Sequence, residues 1–171
     1  MMLLRHLLSI LVLPVTVTVI VPLWIARATG AGFALDASTL SLAARLLGTV
    51  LVLAGAALAA SSIRAFAVEG KGTLAPWDPP RTLVIEGPYR FVRNPMISGV
   101  LFILLGEAIA LRSLPHFWWM LTFLALNLIL IPLVEEPQLR RRFGAAYDEY
   151  RRNVPALLPR AYPWRPPTET G

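Results

Sequence analysis

Cysteine is absent from the 171-residue sequence, and histidine occurs only at His6 and His116. The first absence excludes disulfides, thiolate metal sites and a cysteine nucleophile. The two histidines fall in separate segments and read as residues of a membrane border, so no metal site is expected. Charge is scarce as well. Only 15% of residues are charged, against about 25% in soluble domains. Internal repeats and low-complexity tracts are missing. What fills the chain is apolar: 56% of residues are hydrophobic, the composition of a membrane protein.

Four apolar segments stand out. Leu7 to Ala26 runs 20 residues without a charge, about the length that crosses a bilayer at about 1.5 Å per residue. Pro14 and Pro22 predict a kink in it. Arg5 and His6 before it and "ARA" after it also suit a signal peptide, but such cores run about 7–15 residues. This one is longer and broken by prolines, which favours a membrane helix. Leu46 to Ile63 is rich in Ala and Gly, and Gly55 and Ala59 have the four-residue spacing that lets helices approach closely. Met96 to Leu111 carries one charge, Glu107, and is short for a span. Phe117 to Val134 contains Asn127 and Pro132. The short link "RSLP" predicts that the last two form an antiparallel hairpin.

The location of the charge decides what the net +6 means. With four spans, every basic residue except Arg27, Arg45 and Arg112 falls on the side of the termini and the middle loop. The positive-inside rule then places both termini in the cytoplasm. The surplus serves topology and attraction to anionic lipid. Nucleic acid is not expected as a partner, because no soluble basic domain exists to carry it. The expected fold is all-α: a polytopic membrane protein of about four transmembrane helices plus a C-terminal amphipathic interfacial helix. A natural division puts an N-terminal helix pair in 1–66 and a core in 67–171.

Two polar stretches need another explanation. In "VEEPQLRRRFGAAYDEYRRNVP", Leu139, Phe143, Ala146, Tyr147 and Tyr150 share one helical face. Pro137 suits a first turn, Glu135 and Glu136 suit its positive end, and Glu136–Arg140 and Asp148–Arg152 are favourable i,i+4 pairs. A helix resting on head groups accounts for the arginines and aromatics. It does not account for two adjacent carboxylates where a membrane helix ends. In "GPYRFVRNPMISG", Gly87 and Pro88 make a turn, and Pro95 biases Asn94 away from helix and starts the next one. The final "PWRPPTETG" reads as a frayed tail.

Taken in series, the two stretches resemble the isoprenylcysteine carboxyl methyltransferase family and its bacterial and phospholipid-methyltransferase relatives. That family has G-x-Y-x-x-x-R-(H/N)-P leading into a membrane hairpin, then E-E-x-x-L, F-G-x-x-Y-x-x-Y and V-P. The resemblance covers about Arg81 to Pro159. It implies a membrane enzyme that transfers methyl from S-adenosylmethionine to a lipid or other hydrophobic small molecule at the cytoplasmic face. It further implies cofactor contacts at Arg81, Thr82, Leu83, Val84, Gly87, Tyr89, Arg93, Asn94, Pro95, Met96, Ile97, Glu135 and Glu136. The chemistry agrees. Carboxylates can hold the cofactor's ammonium or hydroxyls, Arg93 or helix-start N–H groups can hold its carboxylate, and Tyr89 offers a flat surface or a cation–π contact. Direct displacement needs alignment and exclusion of water, not a metal or a covalent nucleophile.

One departure bears on the acceptor. The carboxyl methyltransferases carry an Arg four residues before the first acid, and here that position is Ile131. A buried apolar residue cannot pair a carboxylate, so a prenylcysteine carboxylate is not expected as substrate in the family's manner. Glu107 and Asn127 are the other intramembrane polar groups. They are expected either to face each other across the hairpin or to line a substrate path with Ile131. Two rival functions remain at this level, a nicotinamide-dependent reductase of the sterol-reductase type and a non-enzymatic scaffold. The Gly/Ala face of the second helix also permits a homodimer. The expected location is a bacterial inner membrane.

Overall fold

The computed structural model describes residues 13–31, 38–69 and 82–166, and no strand occurs among them. Four helices correspond to the four apolar segments. They are α1 (Leu13–Thr29), α2 (Thr39–Glu69), α3 (Pro95–Ala110) and α4 (Leu114–Phe143). A short helix, α5 (Ala145–Asn153), follows. By length and composition, α2 over Thr39–Ala65 and α4 suffice to cross a membrane, whereas α1 and α3 are shorter apolar helices. The proposed division at 66/67 falls inside α2.

The helices alternate in direction. Gly48 meets Gly106 and Gly55 meets Gly99, so α2 and α3 are antiparallel. The α3–α4 hairpin closes on a left-handed Arg112 (φ 49°). There the Ser113 N–H reaches the Ala108 carbonyl (3.0 Å) and the Arg112 N–H reaches that of Ile109 (3.1 Å), the paired bonds of a Schellman cap. Trp119 bonds α1 at Val17 and His116 bonds it at Pro22, so α1 runs against α4. Arg27 and Arg112 consequently share one end of the bundle, opposite the Gly87–Asn94 loop and the C-terminal segment.

The α2–α3 contact inverts the soluble pattern of large residues inside. Among the positions of α2 whose burial is described, the buried ones are Ser41, Gly48, Gly55 and Ser62, one every seven residues, while Leu40, Leu42, Leu46, Leu47, Val50 and Leu53 point outward. Lipid solvates the large side chains, and small residues let the backbones touch. A methyl group on Gly55 would lie 2.5 Å from the Gly99 oxygen, and one on Gly48 would lie 2.5 Å from that of Gly106. The face that suggested a homodimer is therefore covered by α3 within the protomer.

Two π turns accommodate Pro22 and Pro137. The first spans Thr16–Ile20 and precedes Pro22, and the second spans Ile131–Glu135 and precedes Pro137. A proline ring collides with the carbonyl four residues back and has no N–H to offer. Widening the preceding turn relieves the collision. In α1 the Val21 N–H goes to Thr16, and Val17 is left facing Pro22. The Trp119 indole supplies the missing donor to the Val17 carbonyl at 3.0 Å. The expected kink is thus a π turn tied to α4.

His116 corrects the sequence reading. It is buried against α1 rather than facing head groups, with Nε2 3.1 Å from the Pro22 carbonyl and Nδ1 2.7 Å from the Ser113 hydroxyl. A carbonyl only accepts, so Nε2 carries the proton and Nδ1 accepts from Ser113. His6 lies outside the described residues.

Gly99→Ala should destabilise the protein by about 1–3 kcal/mol through forced separation of α2 and α3, whereas Ala57→Val, on an exposed face of α2, should be near neutral. Unfolding of both variants in mixed micelles checks this.

Candidate functional site

The Gly87–Asn94 loop is built by its own sequence. Gly87 has φ 55°, a conformation open to glycine without cost, and Pro88 then begins one 3-10 turn, Gly87–Arg90. Arg90 closes the turn by reaching Glu86 (2.7 Å) and the Ile85 carbonyl (3.2 Å). Asn94 is held out of helical geometry (φ −119°, ψ 65°) ahead of Pro95, the first residue of α3, as a residue before proline should be. No side chain caps this helix start. The N–H groups of Met96 and Ile97 thus point outward from its positive end.

The second stretch does not begin a helix. Helix α4 continues through the π turn, so Glu135 and Glu136 sit mid-helix rather than at the positive helix end the sequence suggested. The tail is also not one helix, because Gly144 (φ 54°, ψ −129°) separates α4 from α5. Neither expected i,i+4 pair forms. Glu136 instead bonds Arg93 (2.7 Å) and Arg151 (2.9 Å), and Arg140 bonds Asp148 (3.0 Å).

These pairs fasten loop to tail. Arg93 Nη1 donates to Glu136 (2.7 Å) and to the Tyr147 hydroxyl (3.0 Å), and its Nε donates to the Val154 carbonyl (2.9 Å). The backbone continues the seam. The N–H of Arg93 reaches Pro155 (2.8 Å), that of Asn94 reaches Ala156 (3.1 Å), that of Arg160 reaches Phe91 (3.0 Å) and that of Trp164 reaches Arg90 (2.9 Å). Ser98 donates to the Leu157 carbonyl at 2.6 Å. Beneath the seam, Tyr147, Tyr150 and Val154 pack with Leu83, Ile85, Leu139, Phe143 and Trp164. The apolar face of the tail therefore packs on protein, not on head groups, and only Ala146 of the expected face is exposed. Trp164 belongs to this core, so the tail is not frayed up to that residue.

Tyr89 is buried among these groups. Its hydroxyl lies 3.0 Å from that of Ser62 on α2, and its carbonyl accepts from Tyr150 at 2.7 Å. Burial pushes the Tyr89 phenol above its ordinary value, with the Ser62 bond pulling the other way. The Tyr150 phenol is also pushed up, chiefly by burial. Tyr150 therefore remains a protonated donor at neutral pH. With 8% of its surface exposed, Tyr89 forms wall, not an open stacking face.

The remaining expected site residues divide in two. Leu83 is half-buried in the tyrosine cluster and Val84 is buried. Asn94, Met96, Ile97 and Glu135 are half-buried around the α3 start and the π turn. Among the described residues Asn94 and Glu135 have no side-chain hydrogen bond or ion pair. Thr82 is exposed and takes part in an interaction. Ile131 is buried at 3% exposure. Arg81 lies outside the described residues. Glu107 and Asn127 do not meet. Glu107 is beside the hairpin turn, and Asn127 is about 15 Å further along the hairpin axis at about 1.5 Å per residue. The Asn127 amide bonds the Phe123 carbonyl of its own helix (2.8 Å), and Glu107 Oε2 is buried without a partner among the described residues. Ser62, Ser98, Tyr147 and Arg151 were missed. Ser62 and Ser98 carried no signal beyond small size, but Tyr147 and Arg151 sat inside the quoted motif.

This seam is carried by a chain that belongs to the phospholipid methyltransferase family, whose family profile matches residues 43–146. Methanethiol S-methyltransferase 2 of Bradyrhizobium diazoefficiens is 36% identical over 74 residues, covering 43% of this chain and 27% of that protein. The chain thus aligns to roughly a quarter of the relative's length. No solved structure matches the chain.

Glu136→Ala would leave Arg93, 10% exposed, without its partner anion, and should cost about 3–5 kcal/mol. Arg140→Ala removes a pair whose arginine is 63% exposed and should cost under about 1 kcal/mol. Denaturant titration of both variants gives the comparison.

Proposed function

We propose that this protein is a membrane methyltransferase that takes methyl from S-adenosylmethionine and transfers it to a small uncharged lipophilic acceptor. The observation that carries the reading is the convergence of the two motif stretches at one end of the bundle. There the half-buried Glu135, without a side-chain partner among the described residues, stands at the same end as the uncapped start of α3. Membership of the phospholipid methyltransferase family supports the reaction class.

The residues fit the cofactor. Without a side-chain partner among the described residues, Glu135 can accept from the cofactor's ammonium. The Met96 and Ile97 N–H groups suit a carboxylate at a helix N-terminus. The Asn94 amide, likewise without a side-chain partner among the described residues, can bond the nucleoside. When bound, the cofactor supplies an activated methyl on a sulfonium. The protein's part is to hold the acceptor in line with it and keep water out.

Ile131 bears on the acceptor. It lies four residues before Glu135, buried and apolar, and offers nothing to a carboxylate. An uncharged compound suits that wall, and a small thiol is in keeping with the name of the methanethiol S-methyltransferase relative. The clustering of basic residues at the seam end supports a cytoplasmic orientation for it, with Arg27 and Arg112 at the far end. Four spans, the shorter α1 and α3 included, complete the picture of an integral protein of a bacterial inner membrane.

Titration calorimetry should show binding of S-adenosylhomocysteine to the purified protein, a loss of about tenfold or more in Glu135→Gln, and no binding of NADPH. NADPH binding without S-adenosylhomocysteine binding would replace this reading with a reductase.

A further inference from the structure

Arg93 and Glu136 stand in the two motif stretches, and a resemblance alone counts both as cofactor contacts. The geometry points to a different role: we infer that Arg93 and Glu136, with Tyr147 and Arg151, form a positioning cluster that fixes the cofactor site without touching the cofactor. This rests on the methyltransferase reading.

Three of the five Arg93 N–H donors and both Glu136 oxygens are already committed. Arg93 uses Nη1 on Glu136 Oε1 and the Tyr147 hydroxyl, and Nε on the Val154 carbonyl. Glu136 uses Oε1 on Arg93 and Oε2 on Arg151. The two side chains are 10% and 9% exposed. A ligand carboxylate that displaced Glu136 from Arg93 Nη1 would leave Glu136 with Arg151 alone, and a ligand ammonium that displaced Arg93 would leave the guanidinium with only the neutral Tyr147 and Val154 oxygens. Either exchange breaks a well-formed, nearly buried ion pair, which is costly.

Each clamped residue has a sequence neighbour that is free. Arg93 is followed by Asn94, and Glu136 is preceded by Glu135. Neither Asn94 nor Glu135 has a side-chain partner among the described residues. Successive residues on a helix diverge by about 100°, so Glu136 turns to the seam while Glu135 turns away from it. One member of each pair sets the spacing, and the other is left to face a ligand. The span from α3 to α4 at this point is then set by one guanidinium–carboxylate contact. Arg151 from α5 holds the carboxylate's second oxygen.

Two ligands separate positioning from contact. S-adenosylhomocysteine carries the amino and carboxylate groups, and 5′-methylthioadenosine keeps the thioether nucleoside but lacks both. For Arg93→Lys and Glu136→Gln, calorimetry should show both affinities falling by a common factor, about tenfold, with their ratio as in the wild type. Glu135→Gln, a direct contact, should weaken S-adenosylhomocysteine alone. Thermal melting identifies the folded variants, and the isosteric Glu136→Gln keeps the test open if Arg93→Lys does not fold. Selective loss of S-adenosylhomocysteine in either clamp variant would show direct contact and overturn the inference. Unchanged affinity for both ligands in folded variants would overturn it as well. A wild-type protein that binds neither ligand would overturn the methyltransferase reading first, and this inference with it.

Discussion

The contact between Arg93 and Glu136 holds the functional end of this protein together. A charged pair at 2.7 Å with both side chains nearly buried is justified only when its remaining hydrogen-bonding capacity is met. Here Tyr147 and Val154 accept two further Arg93 donors, and Arg151 holds the second Glu136 oxygen. Around that point four backbone bonds join the loop before α3 to the extended chain after α5. Sequence positions more than 60 apart thereby become one surface at the end of a helix hairpin.

The rest of the bundle sets where that surface sits. Close packing of α2 on α3 depends on glycine at Gly48, Gly55, Gly99 and Gly106. Ser62 continues the same heptad and ends on Tyr89. The small-residue seam inside the membrane thus runs directly into the loop of the site. At α4 the π turn fixes the direction of Glu135. An ordinary α-helical turn at Pro137 would put its ring against the Leu133 carbonyl, and the wider turn that avoids this rotates the acids relative to the span before them.

Much of this was legible in the sequence. Pro95 marked the start of α3 because proline fixes both its own φ and its neighbour's geometry. Gly87 marked the turn, and four apolar runs marked four helices. Other features were misread for physical reasons. Pro137 looked like a helix start, since proline in a helix interior is costly. The alternative was written in the pairing of each π turn with a following proline, Pro22 and Pro137. Gly55 and Ala59 suggested an interface, but periodicity cannot say whether its partner is a second protomer or α3. The tail was read as lying on lipid, because Leu139, Phe143, Tyr147 and Tyr150 make the same stripe whether lipid or protein covers it. The ion pairs were predicted locally, at i,i+4, whereas Glu136 found arginines from the loop and from α5. Tertiary pairing of that kind leaves no local pattern.

A sequence without cysteine allows the convergence to be tested in native membranes. The Arg160 N–H bonds the Phe91 carbonyl at 3.0 Å, which sets the two residues side by side, the proximity a disulfide needs. The double variant Phe91→Cys with Arg160→Cys should cross-link rapidly under mild oxidation. The cross-linked protein should still bind S-adenosylhomocysteine. Failure to cross-link in a folded protein would contradict the account, because the loop and the tail would then not share one surface.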